Sequence, residues 1–385
     1  MGPSSDRDTT ALRLAERLIQ LLDRGGFTAT YKYAVLVGLM DLCMERTGAS
    51  GAPPEVVTTR QLAEKVIELY WPHCEPYPER GVLRQNASRR KTHAGKVDTQ
   101  AEIIRHIQRF RDRLGASPGA SVSLARARRL AGGDAYERLA RTVEWKLIEY
   151  PLPRLQNIGR EEERFLYQYY FTKETPKSAV DRYQSGEGHA FDNRLAFQPG
   201  VGAALVALNG VLRPLIHRSW ALMVANVNGI EEPTLERFLF GVERASLEPV
   251  RPALRALQKN LCFYCGSRVP ERCHVDHFIP WSRHADNGLD NLVAAHEDCN
   301  LRKSDYLADD GHVERWRERS ELHAPALRQI AHDHSWEVRP ERTFGVARSI
   351  YHMLPEDARL WHARAEFVKI EKARITSALA LAPAA

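Results

Sequence analysis

Four cysteines lie in the C-terminal half of the 385-residue sequence, and three of them belong to pairs with metal-ligand spacing. Cys262 and Cys265 are separated by two residues, so both thiolates can face one point in a tight turn. His296 and Cys299 repeat this spacing, and positions three apart share one face of a helix. Two such pairs supply the closed tetrahedral Cys3His set of a structural Zn²⁺ site. We therefore predict structural zinc on these four residues, with Cys273 as the alternative to His296.

The segment CHVDHFIPW, residues 273–281, carries a second group of reactive side chains between these pairs. Asp276 and His277 are adjacent in an apolar run that ends at a proline, which is typical of a short strand. A histidine packed in a core strand is the alternative, and for a lone histidine it would be favoured. A structural zinc does not explain this segment, which needs a second interpretation.

The stretch from Leu261 to Leu307 resembles an HNH nuclease domain of the zinc-stapled ββα-metal kind. That family has Cys-x-x-Cys, then Asp-His-x-x-Pro on a strand and Asn-Leu in a loop. A helix follows, with a ligand pair, an asparagine directly after it and a lysine three beyond. The sequence has these residues in order: Cys262-x-x-Cys265, Asp276-His277-x-x-Pro280, Asn291-Leu292, His296-x-x-Cys299, Asn300 and Lys303. It departs in one respect, because the second pair in the family is usually Cys-x-x-Cys.

The residues themselves suit phosphodiester hydrolysis, which needs an activated water and neutralisation of charge on the phosphate. Asp276 offers an anionic oxygen and Asn300 a neutral one, which suits Mg²⁺ or Mn²⁺ with water and phosphate as further ligands. His277, with an ordinary pKa near ~6.5, can take a proton from water at neutral pH. Neighbouring strand residues point to opposite faces, so the metal and the base would approach the phosphate from different sides. The resemblance implies the same roles.

Three further residues of the motif receive predicted roles. Asn291 is placed with the catalytic residues because, in the family that the segment resembles, this asparagine pins the loop that orients the base. His274 shares a strand face with Asp276 and is predicted to contact nucleic acid, with a structural role as the alternative. Lys303 follows Asn300 by one helical turn and is predicted to contact phosphate, with a solvated lysine as the alternative.

The elements that surround this segment are predicted to be mainly helical. Periodic apolar residues and end signals predict helices over residues 9–24, 30–46, 60–71, 99–115, 134–146, 201–227 and 233–259. Thr58-Thr-Arg-Gln61 is a capping box that opens the third of these. Residues 147–156 and 164–171 are typical of two strands, and helices followed by a hairpin favour a winged-helix-like arrangement. After Tyr306 the sequence is predicted to be helical to its end.

We therefore predict a mainly α protein with a small embedded ββα-metal zinc domain and a winged-helix-like N-terminal region. The predicted segments are a basic helical N-terminal domain (1–172), a linker and helical connector (173–257), an HNH nuclease domain (258–308) and a helical C-terminal region (309–385). The stretches TYKYAVLVGLMDLCME and IELYWPHCEPY resemble the region before HNH modules in uncharacterised bacterial proteins, which are often restriction or antiphage nucleases.

Positive charge is concentrated in one part of the chain. The formal net charge is +6, while residues 80–146 contain 16 Lys/Arg and 6 Asp/Glu, a net of +10 that leaves −4 for the remainder. Such concentration is expected of a surface that follows phosphates, although solvated helix faces are the alternative. Arg89, Arg90 and Lys91, in a polar loop of this stretch, are the predicted nucleic-acid contacts.

The remaining expectations concern location and partners. No apolar run approaches the ~18 residues that span a bilayer, and the N-terminus lacks a signal-peptide pattern, so we expect a cytoplasmic protein without a membrane partner. DNA is the expected substrate, and RNA stays open because HNH chemistry does not touch the 2′-hydroxyl. A single HNH site cuts one strand, so double-strand cleavage would require a homodimer or two events. The non-enzymatic alternative is a zinc-stapled nucleic-acid-binding module, which predicts a missing base or metal ligand.

Overall fold

The structure is a computed structural model that describes residues 3–87, 90–91, 97–98, 100–114, 122–159, 161–172, 174–187, 191–231, 234–241 and 246–380. The chain divides into two compact units, Met1–Cys43 with Pro54–Gly241 and Met44–Pro53 with Val242–Ala385. This division differs from the four predicted segments. Residues 173–241 belong to the first unit, and the HNH stretch shares its unit with everything that follows it.

The first unit is built mainly of helices that enclose one apolar core. Its helices are α1 (Pro3–Arg24), α2 (Tyr31–Glu45, which ends in the second unit), α3 (Thr59–Tyr70), α4 (Glu102–Asp112), α5 (Leu124–Ala131), α6 (Gly133–Glu149), α7 (Lys177–Gln184), α8 (Val201–Ala207), α9 (Asn209–Asn228) and α10 (Thr234–Phe240). Its strands are β1 (Val56–Thr58), β2 (Arg90–Lys91), β3 (Val97–Asp98), β4 (Asn157–Ile158), β5 (Glu161–Glu162), β6 (Tyr167–Tyr169) and β7 (Arg194–Phe197). The mainly helical character is confirmed.

Local signals explain several of these elements. The capping box is confirmed, because the Thr58 hydroxyl accepts from the Gln61 amide at 3.2 Å and the Gln61 side chain accepts from the Thr58 amide at 3.0 Å. The predicted strand over residues 147–156 is wrong. Helix α6 continues to Glu149 and a 3-10 turn follows at Leu152–Arg154, because Leu147, Ile148 and Leu152 are buried.

The small sheet of the first unit has the antiparallel order β1-β7-β6. Strand β6 lies within the predicted strand 164–171, whereas its partner β7 comes from a stretch predicted to be a linker. Strand β1 directly precedes α3 and completes the sheet through Val57 opposite Leu195. Strand β1 precedes α3 and forms one sheet with the later strands β6 and β7. This order is compatible with a winged-helix-like arrangement, which stays a prediction.

The second unit holds the HNH segment. Its helices are α11 (Arg251–Leu257), α12 (Glu297–Lys303), α13 (Asp310–Leu322), α14 (Ala324–His334), α15 (Pro340–Met353) and α16 (Lys372–Leu379). Its strands are β8 (His274–His277), β9 (Leu292–Ala295), β10 (Arg359–Ala363) and β11 (Glu366–Lys369). The expectation of helix alone after Tyr306 is wrong, because β10 and β11 form an antiparallel hairpin that buries Leu360 and Trp361.

Aromatic stacking anchors the apolar end of the β8 segment. Phe278 stacks on Trp316 of α13, and Trp316 stacks on Phe344 of α15, each with ring centroids 4.4 Å apart. All three side chains are fully buried. The chain immediately after the reactive residues is therefore fixed against two helices, which restricts the motion of β8.

The last two residues of α2 and the segment that follows it also belong to the second unit. Glu45 lies 3.2 Å from the imidazole of His284 and 2.9 Å from the guanidinium of Arg342. Gly345 has no room for a side chain there, because a Cβ would lie 2.0 Å from the Glu45 carbonyl oxygen. The segment Met44–Pro53 thus helps to hold the loop that follows β8. Among the described residues, none of the helices combines the length and apolar character that a membrane crossing needs.

Candidate active site and zinc centre

Two strands and one short helix bring the predicted residues together. Strands β8 and β9 pair antiparallel, with Asp276 opposite Val293 and His277 opposite Leu292. Helix α12 follows β9 directly and packs against β8. This ββα arrangement presents one face of α12, with Asn300 and Lys303, to the strand that carries Asp276.

The four predicted zinc ligands form one cluster. The ligand atoms of Cys262, Cys265, His296 and Cys299 lie within 4.8 Å of one another, and Cys273 is not among them. His296 Nε2 lies 3.0 Å from the Arg268 carbonyl oxygen, while Nδ1 lies 3.3 Å from Cys265 Sγ. A proton held on Nε2 leaves the Nδ1 lone pair for a metal, and such outer hydrogen bonds commonly orient metal-bound histidines. The donor set and geometry fit a tetrahedral ion of the zinc type.

The carboxylate of Asp276 is oriented by two partners on one of its oxygens. Oδ2 accepts a hydrogen bond from the Tyr264 hydroxyl at 2.5 Å and lies 3.1 Å from Lys303 Nζ. Burial and the charge of Asp276 raise the pKa of Tyr264 well above its usual value, so the phenol stays protonated and donates. Oδ1 has no hydrogen-bond partner among the described residues, which leaves it available to a cation.

His277 is buried and held through one ring nitrogen. Its Nε2 lies 2.7 Å from the Asn287 side-chain oxygen, and its ring makes an edge contact with Trp281 at 5.3 Å. Burial lowers the pKa of His277, although the Asn287 bond and nearby carboxylates oppose this shift. With the proton on Nε2 donated to Asn287, the neutral ring has a free lone pair on Nδ1. The geometry fits the predicted role of His277 as a base, which stays a prediction.

Asn291 is fully buried and bonded to the loop between β8 and β9. Its side-chain oxygen accepts from the Ile279 amide at 2.8 Å. Its amide group donates to the carbonyl oxygens of Ile279 and Asp286, each at 3.1 Å. These bonds tie the residues after His277 to those before Asn287, so Asn291 holds the loop that carries the partner of the base.

Asn300 lies on the same side of β8 as Asp276. Its side-chain nitrogen contacts His274 Nδ1 at 3.3 Å, and His274 shares a strand face with Asp276. The Asn300 side-chain oxygen has no hydrogen-bond partner within the described part of the chain. One carboxylate and one amide oxygen form the hard oxygen set that Mg²⁺ or Mn²⁺ binds with several waters, so these residues fit such an ion.

The interpretation of Lys303 as a nucleic-acid contact is wrong in this structure. Its side chain has no exposed surface, and Nζ donates to the His277 carbonyl oxygen at 2.9 Å besides pairing with Asp276. A buried ammonium with these partners cannot reach a bound strand. Its charge instead compensates that of Asp276.

The structure describes the other predicted nucleic-acid contacts only in part. His274 is 41% exposed on its side chain and lies 3.8 Å from Glu297. Arg89 lies outside the described residues, while Arg90 and Lys91 form strand β2 opposite β3, and their side chains are outside the description. The predicted roles of His274 and of the basic loop stay predictions.

Sequence reasoning missed two side chains that orient the reacting groups. Tyr264 lies inside the Cys262-Phe-Tyr-Cys265 turn, and the spacing of this turn indicates only the two cysteines as functional residues. Asn287 precedes Gly288, and an Asn-Gly pair indicates a turn rather than a catalytic partner. The turn signal was available, but the bond to His277 depends on how the loop folds back.

Comparison with known families agrees with the ββα geometry. The family model for HNH endonuclease matches residues 262–306. A second family model, Domain of unknown function (DUF8808), matches residues 10–238. Neither the curated proteins nor the solved structures contain a match to this chain.

These two matches fix the family and the kind of function. The HNH match confirms the resemblance seen in the motif and supports nuclease function in general, with nucleic acid as the substrate. The match over residues 10–238 covers more than half of the 385 residues. The chain therefore belongs to the family of Domain of unknown function (DUF8808) and carries an HNH endonuclease domain in its C-terminal half.

Proposed function

We propose that this protein is a metal-dependent endonuclease that hydrolyses phosphodiester bonds of DNA. His277 is the general base, and Asp276 and Asn300 hold a Mg²⁺ or Mn²⁺ ion. The observation that supports this most is the pair Asp276 and His277 on adjacent positions of β8, each oriented by its own partners. A nucleic-acid-binding module without catalysis would not need either arrangement.

In the proposed reaction, His277 accepts a proton from the attacking water at Nδ1. The Asn287 oxygen keeps the proton on Nε2 and stabilises the imidazolium that forms. Lys303 and Tyr264 hold the Asp276 carboxylate with Oδ1 directed away from their bonds. A bound divalent ion supplies Lewis-acid stabilisation of the phosphate and of the leaving oxygen. The Cys3His cluster holds structural zinc that fixes α12 to the turn at Cys262.

A cavity beside the start of β8 offers room for the substrate backbone. It has a volume of about 570 Å³, and its lining includes Arg251, Arg272, Cys273 and His274. Arg251 pairs with Glu248, which also lines the cavity, whereas Arg272 is exposed and its guanidinium favours phosphate. The proposal thus places a nucleic-acid strand along the β8 face that carries His274 and Asp276.

The biological role follows from resemblance alone. The helical N-terminal stretches resemble those that precede HNH modules in bacterial restriction and antiphage nucleases. We extend the proposal to such a role in the cytoplasm, with cleavage of both strands requiring two events or a homodimer.

A cleavage panel tests the proposal. Purified protein is incubated with supercoiled plasmid, modified phage DNA or RNA, each with Mg²⁺, Mn²⁺ or EDTA. We expect nicked or linear plasmid with the divalent ions and intact plasmid with EDTA. Cleavage of RNA alone would change the substrate class, whereas an absence of cleavage under all conditions, with zinc-loaded and folded protein, would contradict the proposal. The matched control is His277→Ala, which we expect to be folded and inactive because it removes the proposed base and leaves the pair of Asp276 and Lys303 intact.

A further inference from the structure

A second cluster of metal-ligand side chains lies outside the HNH site. One ligand atom from each of Asp309, His312 and His362 lies within 4.8 Å of the other two. Asp309 caps the N-terminus of α13, His312 belongs to the first turn of that helix, and His362 lies on β10. The start of α13 and strand β10 therefore converge on one point.

Both imidazoles approach the same carboxylate through Nδ1. The Nδ1 atom of His362 lies 2.5 Å from Asp309 Oδ2, and Nδ1 of His312 is in direct contact with Oδ1. Oδ1 also accepts the His312 backbone amide at 3.0 Å, which is the helix-cap bond. This capping bond explains the position of Asp309 but not the presence of two histidines.

Burial restricts which ring nitrogen of His312 can carry the proton. Asp309 and His312 are 5% and 2% exposed, and the His312 ring lies among the rings of Tyr264 and Trp361 at 5.6 and 5.5 Å. Its Nε2 is buried and has no hydrogen-bond partner among the described residues. A lone pair there would lack a donor, which is unfavourable, whereas an N–H can donate weakly to aromatic rings.

A proton on Nε2 has a consequence at the other ring nitrogen. The Nδ1 lone pair of a neutral His312 would then face the Asp309 carboxylate, and two lone pairs in contact require a cation between them. That cation is either a second proton on the imidazole or a metal ion. The second histidine on the same carboxylate favours the metal, because the ligand atoms of all three side chains lie within 4.8 Å of one another. One ion can reach all three once the side chains move from hydrogen-bond contact to coordination distance.

We propose that Asp309, His312 and His362 form a second metal site that takes a divalent first-row transition ion of the Zn²⁺ type. Two imidazole nitrogens and one carboxylate oxygen are ligands that such ions prefer. The His362 side chain is 48% exposed, so the site is open to entry and leaves further coordination positions to water. A bound ion ties the start of α13 to β10. The site does not depend on the proposed nuclease reaction.

Metal content tests the site without any activity measurement. Full-length parent protein, His362→Gln, Asp309→Asn and the control His334→Gln are dialysed against Zn²⁺, freed of excess by gel filtration and analysed for zinc per chain. His334 is an exposed histidine outside the cluster. We expect His362→Gln and Asp309→Asn to hold one equivalent less than the parent, and His334→Gln to equal the parent. Equal zinc in all four proteins would contradict the second metal site. Asp309, His312 and His362 would then form a hydrogen-bonded triad without a metal ion.

Two features keep the comparison valid if a variant folds poorly. Asparagine is as good a helix cap as aspartate, so Asp309→Asn should keep the start of α13. The Cys3His cluster reports folding, because structural metal is retained only by the folded chain. After replacement with Co²⁺, thiolate charge-transfer absorption should be unchanged in both variants while total cobalt falls by one equivalent. If Asp309→Asn loses that absorption, it has unfolded, and His362→Gln, altered at a half-exposed side chain, decides the question.

Discussion

At the residue scale, each proposed reacting group is oriented by at least one neighbour that the motif does not contain. Asp276 is held by Tyr264 and Lys303, and His277 is held by Asn287. Their proposed roles stay predictions, but Asp276 and His277 could be identified as candidates from the sequence because metal ligands and bases occur at characteristic spacings. Their partners could not, since these contacts form only when the turn at Cys262 and the loop after β8 fold against the strand.

The contact between Asn287 and His277 predicts a measurable loss of rate. Asn287→Ala removes the acceptor that keeps the proton on Nε2, so the base adopts its reactive tautomer less often. We expect cleavage to fall by about 10- to 100-fold, as for other outer-shell partners of histidine, with zinc content unchanged. Asn287→Asp keeps an acceptor and should retain more activity than the alanine variant. Equal loss of cleavage rate in both variants would show that the hydrogen bond from His277 to residue 287 does not set the rate.

The buried Lys303 predicts an effect on stability. Lys303→Met should lower the free energy of unfolding by about 3–5 kcal/mol, because it leaves the carboxylate of Asp276 buried without its partner. The control is Lys177→Met, since Lys177 forms an exposed pair with Asp181, and such pairs contribute about 0–1 kcal/mol. Denaturant unfolding without added divalent ions measures both. A small effect for Lys303→Met, equal to the control, would contradict the buried ion pair.

At the element scale, several long helices could be predicted, whereas strands β7, β10 and β11 could not. Helix α3 begins at its capping box, and the apolar helix α2 is buried on nearly all sides. Strand β7 has four residues and pairs with β1 from far away in the sequence, so no local signal identifies it. The C-terminal hairpin was missed because its Arg-rich sequence also suits an exposed helix. Pairing with a distant segment, rather than local preference, determines β7.

The cluster that joins α12 to the Cys262 turn predicts which cysteines hold zinc. Cys299→Ser should give protein that is misfolded or lacks the tightly bound ion, because structural zinc is coupled to folding. Cys273→Ser should keep as much zinc as the parent through dialysis, since Cys273 is buried outside the cluster. Elemental analysis of both purified proteins distinguishes them. Zinc lost by Cys273→Ser and kept by Cys299→Ser would reverse the ligand assignment.

At the scale of the whole molecule, the basic stretch has fewer free charges than its sequence indicates. Arg80 binds the carbonyl oxygens at the end of α9, and Lys146 pairs with Glu102 and Glu149. Glu149 lies outside residues 80–146, as does Glu75, which pairs with Arg111, so these two carboxylates compensate part of the +10. Exposed arginines remain on α4 and α5, at Arg109 and Arg126. Charge counting could predict a basic region but could not predict which side chains are paired.

The basic loop predicts a change in the salt dependence of DNA binding. Each phosphate contact contributes about 0.9 to the log–log salt slope on duplex DNA, so alanine at Arg89, Arg90 and Lys91 should reduce the slope by up to about 3. The comparison uses the inactive His277→Ala background, so that substrate is not consumed. Identical slopes would show that the binding surface lies elsewhere. The Arg-rich helices after Tyr306 are then the next candidate.

Cleavage by His277→Ala tests the central claim most directly. Parent and variant are compared on supercoiled plasmid with Mg²⁺ or Mn²⁺, with zinc content and thermal unfolding measured on the same preparations. We predict that the variant keeps the fold and its zinc but loses about 10²- to 10⁴-fold in rate, the contribution of a positioned general base. Cleavage by the variant at a rate near that of the parent would contradict the account.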